Sequence, residues 1–430
     1  MINRQLAILA ACIFLINFGY SQEKPNYLGQ TNTITTAVPF LLIAPDARAG
    51  AMGDAGVSSA PDANSMHWNP AKYAFIDSKV GFSAAYSPWL RALVSDINLA
   101  YVAGYYKLDD KQTIAASLLY FTLGDITFTD IQGERIGNYR PNEFSIDGTY
   151  SRKFSETWSG AVAARYVHSN LTQGIDVAGQ ATKPGQSIAA DVAVYHQREL
   201  DWRNFEYAEF ALGINISNIG SKVSYSDATT DKDFIPTNLR IGPRLTLDFD
   251  DYNRMSFMVD VNKLLVPTPP VYATDSVGQT VIDPATNEKI IASGKNPDVG
   301  TIQGMLQSWY DAPGSVFFQQ DANGNDLYDP VTGAHLVGVD AGSKFTEELR
   351  EISIATGVEY WYNKVFAIRG GFFYENKYKG NRKYFTLGAG LKYNVFGLDF
   401  SYLIPLEQKN PLENTLRFTL IFDFDEMYNN

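Results

Sequence analysis

The stretch Thr415-Leu416-Arg417-Phe418-Thr419-Leu420-Ile421-Phe422-Asp423-Phe424 alternates apolar and polar side chains with a period of two. In an extended chain Leu416, Phe418, Leu420, Phe422 and Phe424 share one face, while Arg417, Thr419 and Asp423 share the other. Ile421 alone departs. An apolar face backed by a charged one suits a wall between lipid and a polar lumen. Upstream, Phe385, Leu387, Ala389, Leu391 and Tyr393 oppose Thr386, Gly388, Gly390, Lys392 and Asn394, and Leu398, Phe400, Tyr402 and Ile404 oppose Gly397, Asp399 and Ser401. Leu239, Ile241, Leu245, Leu247 and Phe249 stand against Arg240, Gly242, Arg244, Thr246 and Asp248, which sends two arginines inward.

Fourteen such segments can be read, at about 79–87, 93–108, 112–127, 143–154, 158–170, 186–199, 206–217, 237–249, 254–264, 349–362, 365–374, 382–394, 396–405 and 415–424. From the second connection onward, short turns alternate with long loops; only the first outer connection, 88–92, is unexpectedly brief. This predicts an all-β chain, a transmembrane β-barrel of about 14 antiparallel strands over 79–430 with a long extracellular loop at 265–348. An even strand count places both termini on the periplasmic side.

Composition agrees. The chain is 45% hydrophobic and 13% aromatic but only 19% charged, and a net charge of −12 offers no basic field to nucleic acid. A mean hydropathy of −0.17 is too polar for a helical membrane protein. A soluble propeller would repeat every ~40 to 50 residues, and no such repeat runs through the chain. Tyr101, Tyr105, Tyr106, Tyr120 and Phe121 lie near strand ends, where interfacial girdles belong.

Arg4, the apolar run from Leu6 to Phe18, and small Gly19 and Ser21 before Gln22 predict a signal peptide at 1–21. Cys12 in Leu9-Ala10-Ala11-Cys12 comes too early for a lipoprotein box, since apolar residues Ile13 to Phe18 follow it. After Gln22 no apolar run reaches the ~18 residues of a spanning helix.

Catalysis is not expected. In Tyr166-Val167-His168-Ser169-Asn170, adjacent strand residues point to opposite faces, so His168 and Ser169 do not form a pair. His67, His196 and His335 lack ligand spacing, so neither a metal nor another cofactor is expected. Asp321-Ala322-Asn323-Gly324-Asn325-Asp326 has Asp326 and Thr332 where a calcium loop needs Gly and Glu. Asp275, Gly278, Asp283, Pro284 and Thr286 recur at identical spacing as Asp321, Gly324, Asp329, Pro330 and Thr332, which predicts two turn-rich hairpins. Between them Met305, Leu306, Trp309, Tyr310, Phe317 and Phe318 either tuck against the barrel mouth or form a docking surface; Trp309, Tyr310, Phe317 and Phe318 are the partner-binding candidates. Arg165, Arg240, Arg244, Asp260, Arg369, Asp399 and Arg417 are read as lumen charges that pair across a plugged interior.

Before the barrel, residues 22–78 turn to small residues: Asp46-Ala47-Arg48-Ala49-Gly50-Ala51-Met52-Gly53-Asp54-Ala55-Gly56, then Asn69-Pro70-Ala71. This resembles the N-terminal hatch of FadL-like barrels, a run of Ala and Gly followed by an Asn-Pro-Ala turn. Within that superfamily the chain resembles the PorV family of the type IX secretion system. The likeness rests on Ala44-Pro45-Asp46-Ala47-Arg48-Ala49-Gly50-Ala51-Met52-Gly53, Asp311-Ala312-Pro313-Gly314, Gly357-Val358-Glu359-Tyr360 and Asn410-Pro411-Leu412-Glu413-Asn414-Thr415-Leu416-Arg417-Phe418. It departs at Ser315-Val316, where an acidic insertion precedes Glu347-Glu348-Leu349. The resemblance implies a non-enzymatic outer-membrane component that binds secreted cargo proteins by their C-terminal signal domain and works with the translocon and sortase of that system. The other function it allows is a FadL-like uptake channel for hydrophobic small molecules, gated by the hatch. The oversized loop at 265–348 favours a protein partner.

Overall fold

The structure is a computed structural model and describes residues 32–91, 94, 96–129, 132–174, 181–226, 232–407 and 410–424. The expected signal peptide, Cys12 included, lies outside these residues.

Fourteen antiparallel strands close into one barrel. They are β1 (Val80–Pro88), β2 (Asn98–Asp109), β3 (Gln112–Thr122), β4 (Asn142–Lys153), β5 (Trp158–Asn170), β6 (Gly185–Glu199) and β7 (Tyr207–Gly220). The second half is β8 (Asn238–Asp248), β9 (Asn253–Leu264), β10 (Ile352–Tyr362), β11 (Phe366–Tyr374), β12 (Lys383–Tyr393), β13 (Phe396–Pro405) and β14 (Leu416–Phe424). Each strand pairs with its sequence neighbours, and β14 returns to β1 with Phe422 opposite Phe82. Closure leaves no strand edge unpaired, which a lipid environment demands because it offers the backbone no hydrogen bonds. The period of two sorts the side chains: on β4 Glu143, Ser145, Asp147 and Thr149 are buried inward, whereas Ile146 and Tyr150 are exposed outward.

Turns on one end are tight. Asn363 and Lys364, joining β10 to β11, both have positive φ, 54° and 55°, as a two-residue hairpin of matching twist requires. The opposite end carries the long connections. Three expectations change in detail. The first long-end connection runs over 89–97, not 88–92, so the alternation of short and long has no exception. β3 ends at Thr122, and the alternation that continues past it belongs to a separate hairpin, Ile126–Thr129 with Arg135–Tyr139. Residues 349 and 350 close a helix, Ser343–Arg350, rather than opening β10.

Residues 32–76 thread the lumen. At the long-loop end Lys379 Nζ donates to Asn32 O (2.9 Å) and Thr33 Oγ1 donates to Tyr378 O (3.3 Å). At the short-turn end Ser159 Oγ donates to Ala71 O (2.7 Å) and Thr113 Oγ1 to Tyr73 O (3.1 Å). The last strand ends on the short-turn side at Phe424, whereas Asn32, the first described residue, lies at the long-loop end, so the described part of the hatch crosses the lumen once.

A plugged lumen and a folded long loop as the candidate functional site

The hatch is held by its backbone, which explains its small residues. Asp46 caps the helical turn Ala47–Gly50, accepting from Ala49 N (2.9 Å) and from Trp68 Nε1 (2.6 Å). Ala47 N donates to Thr419 Oγ1 (2.8 Å), Gly53 N to Thr386 Oγ1 (2.8 Å), and the Gly56 and Val57 amides share Asp260 Oδ2 (2.7 and 2.9 Å). Such contacts need the two backbones to touch. A Cβ on Gly371 of β11 would stand 2.1 Å from Gly53 N, and Gly53 itself has φ of 68°.

Ion pairs tie the plug to the wall. Arg48 meets Glu359 (2.8 Å) and Asp62 (2.9 Å); Glu359 also binds Arg369 (2.7 Å), which reaches Asp399 (2.6 Å). Arg165 pairs with Asp147 and Asp191, Arg244 with Glu209, and Arg417 lies 3.4 Å from Asp54. Among the described residues the lumen charges thus pair across the interior, apart from Arg240 and from Asp260, which accepts from hatch amides instead. Buried pairs of this kind add little net stability but penalise every misregistered arrangement, since a lone buried charge is costly. Sequence motifs hundreds of residues apart meet here: Arg48 joins Glu359, Met52 packs on Gly357, and Arg417 reaches Gly50 O (3.4 Å).

Asn69, Pro70 and Ala71 are all buried. Asn69 Oδ1 accepts from Ala71 N (3.0 Å) and so caps the 3-10 turn Pro70–Phe75, whose first residue is the proline. Its Nδ2 donates to Val57 O and to Val194 O of β6 (both 3.1 Å), while Ala71 O accepts from Ser151 and Ser159. The motif is a rivet between hatch and wall.

At the long-loop end the helix Ser343–Arg350 turns its carboxylates inward and leaves Phe345 and Leu349 exposed. Glu347 accepts from Gly314 N (2.7 Å) and Lys379 (2.8 Å), and Glu348 from Ala312 N (3.0 Å) and Lys263 (3.2 Å). Glu351 completes the knot with Lys263 (2.7 Å) and Lys379 (3.0 Å). Asp311-Ala312-Pro313-Gly314 is therefore clasped by the Glu-Glu pair that follows the insertion. Burial, with Glu348 and Glu351 near it, pushes the Asp311 carboxyl up to about 6, against the hydrogen bond it accepts from Thr268 N. Lys263, Lys379, Glu351 and Asn32 were not foreseen. Nothing in a local pattern pairs residues from a strand end, two loops and the hatch.

The long loop holds two hairpins where the repeated turn motif predicts them. Val271–Tyr272 pairs with Ile291–Ser293, and Val316–Phe318 with Val337–Val339. Asp275 Oδ1 accepts from Val277 N and Gln279 N as Asp321 Oδ1 accepts from Asn323 N and Asn325 N. Each carboxylate closes a turn, and these amides hold Asp321 below its usual carboxylate range. Lys289 lies 5.3 Å over the Tyr272 ring where, in the second hairpin, His335 stacks on Phe318 at 3.9 Å.

The four aromatic candidates divide. Trp309 and Tyr310 are exposed, beside Ile302 and Leu306 on the exposed side of the helix Thr301–Gln307, whereas Phe317 and Phe318 are half-buried in the second hairpin. Lys295 caps Tyr310 at 3.7 Å and Lys263 faces Trp309 at 5.4 Å. His168 and Ser169 point apart. His168 stacks on Phe144 (5.1 Å) outside, and Ser169 donates to Glu143 (2.6 Å) inside.

These features define an antiparallel membrane β-barrel with a plugged lumen and a folded long loop at one end. A family model described as "Type IX secretion system protein PorV" matches residues 26–271, and the chain belongs to that family. Among solved structures it is similar to the Ralstonia pickettii toluene transporter TbuX, with 10% identity, 88% of this chain and 98% of that one covered, and a TM-score of 0.44. It is likewise similar to the Pseudomonas putida toluene transporter TodX, with 9% identity, coverage of 87% and 96%, and a TM-score of 0.44. A Pseudomonas aeruginosa FadL homologue gives 9% identity, coverage of 89% and 99%, and a TM-score of 0.41. No curated protein matches the chain.

Proposed function

We propose that this outer-membrane barrel is a non-enzymatic component of type IX secretion, whose long-loop end faces the cell exterior, binds exported cargo by its C-terminal signal domain and passes it to the surface attachment complex. One observation carries this reading. The lumen is filled by a hatch riveted at both ends, whereas the loop over 265–351 spends its own folded scaffold on displaying Ile302, Leu306, Trp309 and Tyr310 to solvent. A surface of aromatic and aliphatic anchors suits a protein partner. The translocon and the sortase are the partners that family membership suggests, and lipid surrounds the wall.

The test uses exposed side chains, so that folding is spared. Trp309→Ala with Tyr310→Ala should leave barrel levels in the outer membrane unchanged and reduce recovery of cargo with the affinity-purified protein by tenfold or more, since two hot-spot aromatics are worth about 2 kcal/mol or more together. Cargo secretion should fall in parallel. Normal cargo capture and secretion in that variant, with impaired growth on hydrophobic substrates after changes at Asn69, would replace this reading with uptake.

A further inference from the structure

Above the hatch, at the long-loop end of the lumen, a cavity of about 70 Å³ is lined by Trp68, Asn238, Arg240, Asn262, Tyr384 and further side chains. Arg240 is more than nine-tenths buried. Its guanidinium lies 4.6 Å over the Trp68 ring and its Nε donates to Asn262 Oδ1 (2.8 Å). Among the described residues, no carboxylate comes within ion-pair distance of it, unlike Arg48, Arg165, Arg244, Arg369 and Arg417. The two terminal nitrogens have no protein acceptor among those residues.

The carboxylates that line the cavity are engaged with other partners. Glu351 is held by Lys263, Lys379 and Thr268, Glu375 by Arg382, and Asp54 by Tyr384 and Arg417. Asp260 on β9 gives Oδ2 to the Gly56 and Val57 amides, while among the described residues its Oδ1 is buried without a hydrogen-bond partner and not within ion-pair distance of Arg240. A buried guanidinium whose two terminal nitrogens have no protein acceptor among the described residues, set against an aromatic ring and without a contact ion pair, is a charge short of hydrogen-bond partners in a place poor in water.

We propose that this cavity binds a small singly charged anion, of chloride to formate size, which Arg240 holds with its terminal nitrogens. The anion completes the contact between the barrel wall and the hatch at Trp68. The volume excludes a long acyl chain, so the site is a structural anion site and does not depend on the secretion reading.

Bromide is a probe of the right size. Crystals of the full-length protein grown with sodium bromide should show an anomalous peak within hydrogen-bond reach of the Arg240 guanidinium, and crystals of Arg240→Gln should lack it. In detergent, sodium formate should raise the melting midpoint of the wild type saturably, against an equal ionic strength of a bulky anion, and leave Arg240→Gln unmoved. If Arg240→Gln fails to assemble, Arg240→Lys serves instead. It keeps the charge but loses the fork, and should retain the site with affinity reduced about tenfold. Absence of the bromide peak in the wild type, or equal formate stabilisation of wild type and variant, overturns the proposal.

Discussion

Asp311 shows how one side chain sets the behaviour of the loop base. Its carboxyl is held at about 6 in the folded protein and sits near 3.9 in an unfolded chain. The proton is bound more tightly in the folded state. Its contribution is therefore fully present below about pH 4 and lost as pH rises through about 6. Asp311→Asn keeps an acceptor for Thr268 N and removes the charge beside Glu348 and Glu351. At pH 7 the variant should resist protease at the loop base better than wild type, and the difference should shrink as pH falls through about 6 and vanish only below about pH 4. A difference that stays constant with pH would remove Asp311 from this role. Glycines make a second residue-scale contrast. Gly371→Ala places a Cβ 2.1 Å from hatch backbone that cannot move aside, and should cost about 1–3 kcal/mol or more in urea unfolding. Gly148 on β4 faces outward with nothing within 4 Å, so Gly148→Ala should stabilise by ~0.4–1 kcal/mol. Equal effects at the two sites would show that the hatch does not lie against β11.

Among the elements, β14 carries the closure of the barrel. Phe422 stacks on Phe82 of β1 at 4.7 Å and meets Phe396 of β13 at 5.6 Å, so one ring bridges both neighbours of the closing strand. Replacing Phe422 and Phe424 with Asp turns two charges toward lipid near the interface, at ~1 kcal/mol each there and more if deeper, besides the lost ring contacts. The expected outcome is a severe drop of the heat-modifiable folded band in outer-membrane fractions. Normal levels would mean that the register of β14 against β1 is wrong. The lipid face of β2 to β6 also shows how register shapes an element. Gly104, Ala116, Gly148, Ala164 and Ala190 align strand by strand into a shallow furrow, between one row of Tyr106, Ile114, Tyr150, Val162 and Val192 and another of Val102, Leu118, Ile146, Tyr166 and Ile188.

For the molecule as a whole, the hatch decides what the barrel does. Residues 32–76 cross the lumen and are pinned at both ends, so the purified protein should pass almost no current in planar bilayers. Removing residues 22–76, so that the chain enters β1 directly, should open discrete conductance steps. Steps of the same size in the intact protein would show that the plug leaves a path.

The sequence by itself determined the barrel. Period-two alternation is local, and every strand carries it independently, so Trp158–Asn170 and Phe396–Pro405 match their predicted bounds to the residue. The doubled turn motif was legible for the same reason, because Asp275 and Asp321 each close a turn with amides only a few residues away. What the lumen holds together was settled only in three dimensions. Arg48 and Glu359 are 311 positions apart, and Asn32 reaches Glu347 across 315, distances over which pattern carries no partner information. The direction of the hatch was hidden too. A segment of small residues reads alike in either sense, and only the Lys379 and Glu347 contacts at one end and the Ser159 contact at the other orient it.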